Sequence, residues 1–285
     1  MSNLKIDDHI SDNEMNEGVV ISVMSPRGGT GKTSVASLLG AQIPKITAEF
    51  AEQNVLGRPF KVCLIDLDIF DGQVGLLLGE SKPTVLDLAR YKDSLNEEVV
   101  MDHLVFNETM GFHALLAPLR GDPDRDADPA FYHEVIRLLK NMFDVVIIDT
   151  SVDIRETMNR MVAIPAADQV LLVLNNNPSG IGGGQQWVKD ATTPLAEGGL
   201  GVDVDTISVV FNSLAAPVKW NLKEMSTILG AKPQIFIPYG GQEFSSAGYN
   251  RNLAAILERD EFNTAYTYLV AFVTTWFAAK NSSEG

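Results

Sequence analysis

Ten residues near the N-terminus, Ser25-Pro26-Arg27-Gly28-Gly29-Thr30-Gly31-Lys32-Thr33-Ser34, stand between the apolar run VVISVMSP (19–26) and a helix-length pattern that opens at residue 32. Glycines let a backbone curl so that successive N–H groups point at phosphate oxygens, and a helix N-terminus adds partial positive charge. In a loop of this kind a lysine reaches the β- and γ-phosphates and the next hydroxyl coordinates Mg²⁺. Gly28, Gly29, Thr30, Gly31, Lys32, Thr33 and Ser34 are therefore candidate nucleotide-binding residues, with Thr33 also a metal-ligand candidate. A glycine-rich turn without a ligand is the alternative, but a Gly-Gly-x-Gly-Lys-Thr/Ser string arises by chance in on the order of one chain in a thousand.

Short apolar runs alternate with helix-length patterns along the rest of the chain. Strand candidates are 19–26, 60–68, 113–119, 145–149, 169–175, 206–212 and 233–238, with helical patterns at 32–53, 130–142, 154–164 and 219–230 among those between them. Most of the runs are solidly apolar, as strands covered on both faces are. The expected fold is α/β: a mostly parallel twisted sheet with helices on both faces, and a ligand at the carboxyl ends of the strands. No Pro-, Gly- or Ser-rich linker divides the chain, so residues 18–280 read as a single domain between tails at 1–17 and 281–285. The stretch GDPDRDADP (121–129) reads as a solvated acidic loop without EF-hand spacing.

Two runs end in carboxylates. In LIDLD, Asp66 and Asp68 are two residues apart, so strand alternation brings both out on the same side of the carboxyl end. VVIID ends in Asp149, the pattern of a strand-end aspartate that holds magnesium directly or through water. Asp153 reads as a solvated helix-start residue, and Asn212 ends a further strand either as a turn former or as an amide that both donates and accepts.

Charge and composition narrow the function. With 37 Asp plus Glu against 22 Lys plus Arg, the net charge is −15, which opposes broad binding to DNA or anionic lipid. A single cysteine, Cys63, excludes an internal disulfide framework and any cysteine-rich metal or cluster site, and fits a reducing cytoplasm. His9, His103, His113 and His133 show no metal spacing and read as structural or surface residues. The first 17 residues are polar and acidic, with no signal-peptide pattern, and read as a mobile tail or as a short interaction arm. Residues 262–279 carry no charge, but Phe262, Ala265, Tyr266, Leu269, Val273, Trp276 and Phe277 recur at helical steps. That stripe predicts a helix docked on the domain; a peripheral membrane anchor is the weaker reading, since only Lys280 offers a cation to headgroups.

The glycine-rich segment resembles the deviant Walker A loop, KGGxGK[ST], of MinD, ParA and their relatives. Arg27 stands where that family has its signature lysine, which reaches across a dimer to the partner's nucleotide; Pro26 replaces a small residue and removes one backbone donor. The resemblance implies a homodimer closing around Mg·ATP and a slow ATPase. It assigns Lys32, Asp68 and Arg27 as catalytic residues, with Asp68 orienting the attacking water. Thr33, Asp66 and Asp149 would manage Mg²⁺, and Asn212 and the backbone near Pro238 would hold the adenine. The succession of 76–90, 111–124, 143–151 and 228–253 is similar to the CpaE/TadZ branch, which implies a protein partner in pilus or secretion assembly. The 17 residues ahead of the first strand leave no room for the receiver-like domain such proteins often carry, so a lone ATPase domain is expected. The expected place is the cytoplasm, with recruitment to a cell pole or the inner face of the membrane. A nucleotide-locked, non-hydrolysing scaffold and a ParA-type DNA-partitioning ATPase remain open.

Overall fold

The computed structural model describes residues 16–69, 71–118, 128–213 and 221–282. In chain order the elements are β1 (Val19–Met24), α1 (Lys32–Glu49), β2 (Val62–Asp66), α2 (Val74–Leu78), α3 (Val85–Ala89), α4 (Glu97–Asp102), β3 (Val105–Asn107) and β4 (Phe112–Leu115). They continue as α5 (Pro129–Met142), β5 (Val145–Asp149), α6 (Ile164–Ala166), β6 (Gln169–Asn175), α7 (Pro178–Thr192), β7 (Ile207–Asn212), α8 (Leu222–Leu229), β8 (Lys232–Ile237), α9 (Gly241–Tyr249) and α10 (Asp260–Ser282). The strands form one sheet in the order β3-β4-β2-β5-β1-β6-β7-β8. All pairings are parallel except the edge pair β3–β4.

The solidly apolar strands have two-sided cores. Val19, Ile21 and Val23 of β1 join the layer that contains α1 and α10, while Val20 and Met24 join the layer beneath α5, α7 and α8. Every residue of β1, β2 and β5 is buried, which fixes these three central strands beneath the loops at their carboxyl ends.

Several sequence expectations shift. The β2 run stops at Asp66, so Asp68 lies in the turn beyond the strand. The helix expected at 154–164 begins at residue 157 and is irregular: it takes a π-helical turn over Asn159–Ala163 before α6. Pro165 lacks the N–H that would bond the Met161 carbonyl, and the His133 ring meets that carbonyl instead through Nε2 at 2.7 Å. The 219–230 pattern gives a helix from Leu222, capped by the Asn221 side chain, which accepts from the Lys223 amide; residues 219–220 lie outside the described residues, as do 121–127 of the acidic loop. Asp128, the described end of that loop, caps α5 by accepting from the Ala130 amide.

Helix α10 docks as the stripe requires. Phe262, Ala265, Tyr266, Leu269, Val273 and Phe277 are buried; Val270 joins them and Trp276 is only half-buried. The Gln42 side-chain amide on α1 donates to Asn263 and Thr267 across the helix pair. Among the described residues no helix is long and apolar enough to cross a membrane. The ends of the expected domain move outward. The Glu17 amide donates to Asn281 Oδ1 at 2.8 Å, Asn281 Nδ2 donates back to the Glu17 carbonyl at 3.1 Å, and the Glu17 carboxylate pairs with Lys140. Residues 1–15 and 283–285 of the expected tails lie outside the described residues.

Phe277 packs its ring 4.9 Å from that of Phe60, both fully buried. Phe277→Ala is expected to cost about 3–5 kcal/mol in urea unfolding, whereas Thr275→Ala on the exposed side of α10 is expected to change it by about 0.5 kcal/mol or less.

Candidate functional site

Strand β1 delivers the chain to the carboxyl edge of the sheet, where residues 25–31 turn before α1 begins. Gly29 and Gly31 hold left-handed backbone at φ 73° and 83°. At Gly31 a side chain is doubly excluded, because a Cβ would lie 2.3 Å from the Asn212 side-chain nitrogen. The Ser25 hydroxyl donates to the Arg27 carbonyl at 3.0 Å, and the Asn212 amide donates to the Thr30 carbonyl at 2.8 Å. Asn212 thus braces the loop from the end of β7. The Thr30 hydroxyl is buried without a protein partner, the state expected of a group that meets an oxyanion. Thr33 and Ser34 lie half-buried in the first turn of α1.

Beneath the loop, β2 and β5 place Asp66 and Asp149 at directly paired register positions. Both are 1 % exposed. Lys32 Nζ sits 2.9 Å from Asp149 Oδ1 and is itself buried. Asp66 accepts from the amides of Asp68 and Val74 at 3.2 and 3.0 Å. Burial, and next the charge of Asp149, still push the Asp66 carboxyl well above the usual carboxylate range. Asp68 is half-buried and accepts from the Asp71 amide, shaping the turn after β2. The site therefore holds one carboxyl more than its lysine pairs, and burial beside Asp149 favours the protonated form of Asp66 until further positive charge arrives. Among the described residues there is no group of three or more His, Cys, Asp or Glu placed to hold a metal alone. A hard cation bound through one or two carboxylates, the Thr33 hydroxyl and oxygens of a phosphate ligand fits this donor set.

Two cavities flank the loop. One of about 190 Å³ is lined by Asn212, Ser213, Pro238, Tyr239, Gly240 and Phe244, which brings the two residues expected to hold a base to one concave surface. On the other side a groove of about 550 Å³ runs past Arg27, Val152, Arg155, Gln186 and Trp187. Arg27 is exposed there and its Nη1 donates to the Ser179 hydroxyl in the first turn of α7.

Sequence reading missed the residues that hold the segment after β5. Glu156 Oε2 accepts from the Met158 and Asn159 amides, and the fully buried Asn159 donates to the carbonyls of Ser151 and Asp153 at 3.1 and 2.7 Å. Asp153 accordingly sits in a braced turn at the groove. The available signal was an asparagine at an apolar helical position in ETMNRMVA. Lys32→Met is expected to cost about 3–5 kcal/mol in urea unfolding because it leaves Asp149 buried and unpaired. Adding Asp149→Asn should recover much of that loss in a double-mutant cycle.

No protein-family model matches the chain. An uncharacterized ATP-binding protein of Methanocaldococcus jannaschii is 27% identical over 165 residues, 57% of this chain and 55% of that protein, so the match spans about half the length of the curated relative. A ParA family ATPase from Chlorobium tepidum superposes with a TM-score of 0.70 at 13% identity, covering 89% of this chain and 98% of that one. The septum site-determining protein MinD of Pyrococcus horikoshii, complexed with Mg-ADP, gives 0.69 at 19% identity, covering 92% and 98%. With its parallel sheet, its order of strands and its loop after β1, the chain has the fold of the MinD/ParA P-loop ATPases.

Proposed function

We propose that the protein is an Mg·ATP-dependent switch: two copies close around nucleotide, hydrolyse it slowly, and in the ATP-bound state recruit a protein partner. Its service is the positioning or assembly of a pilus, secretion or other cell-envelope machine at a cell pole or the inner face of the membrane. The reading rests above all on the buried Lys32–Asp149 pair beneath a glycine loop whose Thr30 hydroxyl lacks a partner. A protein of the same fold holds Mg-ADP, and the curated relative is named as ATP-binding.

Each residue then has a task. The amides of 28–34 cradle phosphate oxygens, and Lys32 exchanges Asp149 for the β- and γ-phosphates. Magnesium, held by Thr33 with Asp149 and Asp66, would neutralise charge on the phosphate oxygens. Asp68, in the turn past β2, orients the attacking water. The adenine lies against Pro238, with Asn212 at the edge of its cavity. Arg27 reaches the partner's phosphates with a planar, forked donor set. Bound nucleotide thereby biases a two-state assembly that a partner reads.

A second reading, a nucleotide-locked scaffold that does not hydrolyse, is favoured by one observation: Arg27 is engaged within its own chain by Ser179. Phosphate release and light scattering separate the two. The switch predicts ATP-driven dimers, slow phosphate release by the wild type, and about a hundredfold less from Asp68→Ala. Equal inactivity of the two proteins, with ATP-driven dimers retained, would leave the scaffold. Absence of heat on titrating Mg·ATP into the wild type would remove both.

A further inference from the structure

Away from the phosphate loop, an apolar groove of about 470 Å³ runs between the C-terminal end of α1 and the outer face of α10. Ile46, Phe50 and Val55 form one wall and Val270, Ala271 and Ala278 the other, and every lining residue is uncharged. That is unusual on a chain of net charge −15. Phe50 and Val55 are 52% and 62% exposed, so this wall presents two large apolar side chains to whatever lies in the groove.

The groove face of α10 carries Thr267, Ala271, Thr274 and Ala278, and the same helical stripe continues to Asn281. Asn281 is the residue that grips Glu17 by its amide and its carbonyl, while Lys140 and Lys280 pair with the Glu17 carboxylate. The described chain therefore begins, at Asn16, beside the end of the groove, and residues 1–15 precede it in sequence. They include Leu4, Ile6, Ile10 and Met15 among polar and acidic neighbours. Ile10 stands seven residues before Glu17 and reaches up to about 23 Å from it. Ala271 lies about 15 Å along the helix from Asn281, well within that reach.

We propose that this groove is the docking surface for residues 1–15 of the same chain, with Ile10 seated between Phe50 and Ala271. The occupant needs no cation, and the groove offers none to lipid headgroups. Tethering supplies an effective concentration in the millimolar range, which a second copy in solution does not match. The inference is independent of the nucleotide reading, and its test is made without nucleotide.

The test uses the full-length chain carrying Ile10→Cys with Ala271→Cys. Native Cys63 is fully buried and its thiol is pushed up by that burial, so it stays out of the exchange. The control pair is Ile10→Cys with Asn141→Cys: Asn141 is exposed and follows Lys140, so it is also near Glu17, but it lies on α5 on the other face of the sheet. Under mild oxidation the 10–271 pair is expected to close within the chain at least about tenfold faster than the 10–141 pair, and Phe50→Asp is expected to erase the difference. Equal closure of the two pairs would overturn the proposal. Disulfides between chains at 271 would give the groove to a second copy. Flotation of the wild-type chain with phosphatidylglycerol vesicles, lost in Phe50→Asp, would give it to lipid; either outcome overturns it.

Discussion

Two carboxylates buried side by side under a loop set the terms for the rest of the site. Asp66 and Asp149 end neighbouring parallel strands at paired positions, and Lys32 is the one buried cation among the described residues. Removing two like charges from water is costly, and a single ammonium offsets only part of it. The fold answers with geometry: the amides of Asp68 and Val74 point at Asp66, and Lys32 turns down onto Asp149. What remains is a buried carboxyl, Asp66, that burial and Asp149 hold toward its protonated form, beneath a glycine loop with an unpartnered Thr30 hydroxyl. A divalent cation would favour the ionised form of that carboxyl, and a phosphate chain would give Lys32 and the Thr30 hydroxyl an oxyanion to meet.

The sheet order explains why these groups meet. Strand β1 lies at the centre, with β5 and β2 on one side and β6 and β7 on the other. The chain leaves β1 toward β2 on one flank and later returns past β5 to β6 on the other, so the loops at the carboxyl edge part on either side of β1, where doubly wound sheets open a crevice. Lys32 and Thr33 follow β1, the carboxylates come from β2 and β5, and Asn212 arrives from β7. Residues separated by as many as 182 positions, such as Thr30 and Asn212, are thereby joined by one hydrogen bond.

Much of this was legible in the chain because burial on both sheet faces imprints continuous apolar runs. The 145–149 and 169–175 strands match their runs from end to end, and the loop announced itself by glycine and lysine spacing. The edge strand β3 was not legible, since three residues carry no period and only partial burial. Helices α2, α3 and α4 have five or six residues each, too few for a helical stripe to repeat. The register beyond β2 was also hidden: alternation places Asp66 and Asp68 on one side of a continued strand, yet the chain turns after Asp66, and the two carboxylates take different surroundings. In 154–164 the apolar pattern does give helix from residue 157, but periodicity does not show the π-helical turn within it, where Asn159 binds the carbonyls of Ser151 and Asp153 and Pro165 offers no N–H to Met161.

Helix α7 shows most plainly why local propensity fails here. Its sequence PSGIGGGQQWVKD holds four glycines, each costing about 1 kcal/mol against alanine in a helix; locally only its start is favoured, by Pro178 in the first turn and by the Asn177 side chain, which accepts from the Gly180 amide at 2.7 Å. Tertiary closeness explains the glycines: a Cβ at residue 180 would lie 2.2 Å from the Asn175 carbonyl oxygen, and one at residue 184 would lie 2.4 Å from Leu174 Cδ1. The glycines let the helix lie against the end of β6, and this proximity carries Ser179 to Arg27. The weak helix former is therefore what sets the distance between the loop and its flanking groove. A larger residue at 184 would lift α7 from the sheet and draw Ser179 away from the arginine, so the position of the one exposed cation of the phosphate loop is written in glycines more than 150 residues downstream.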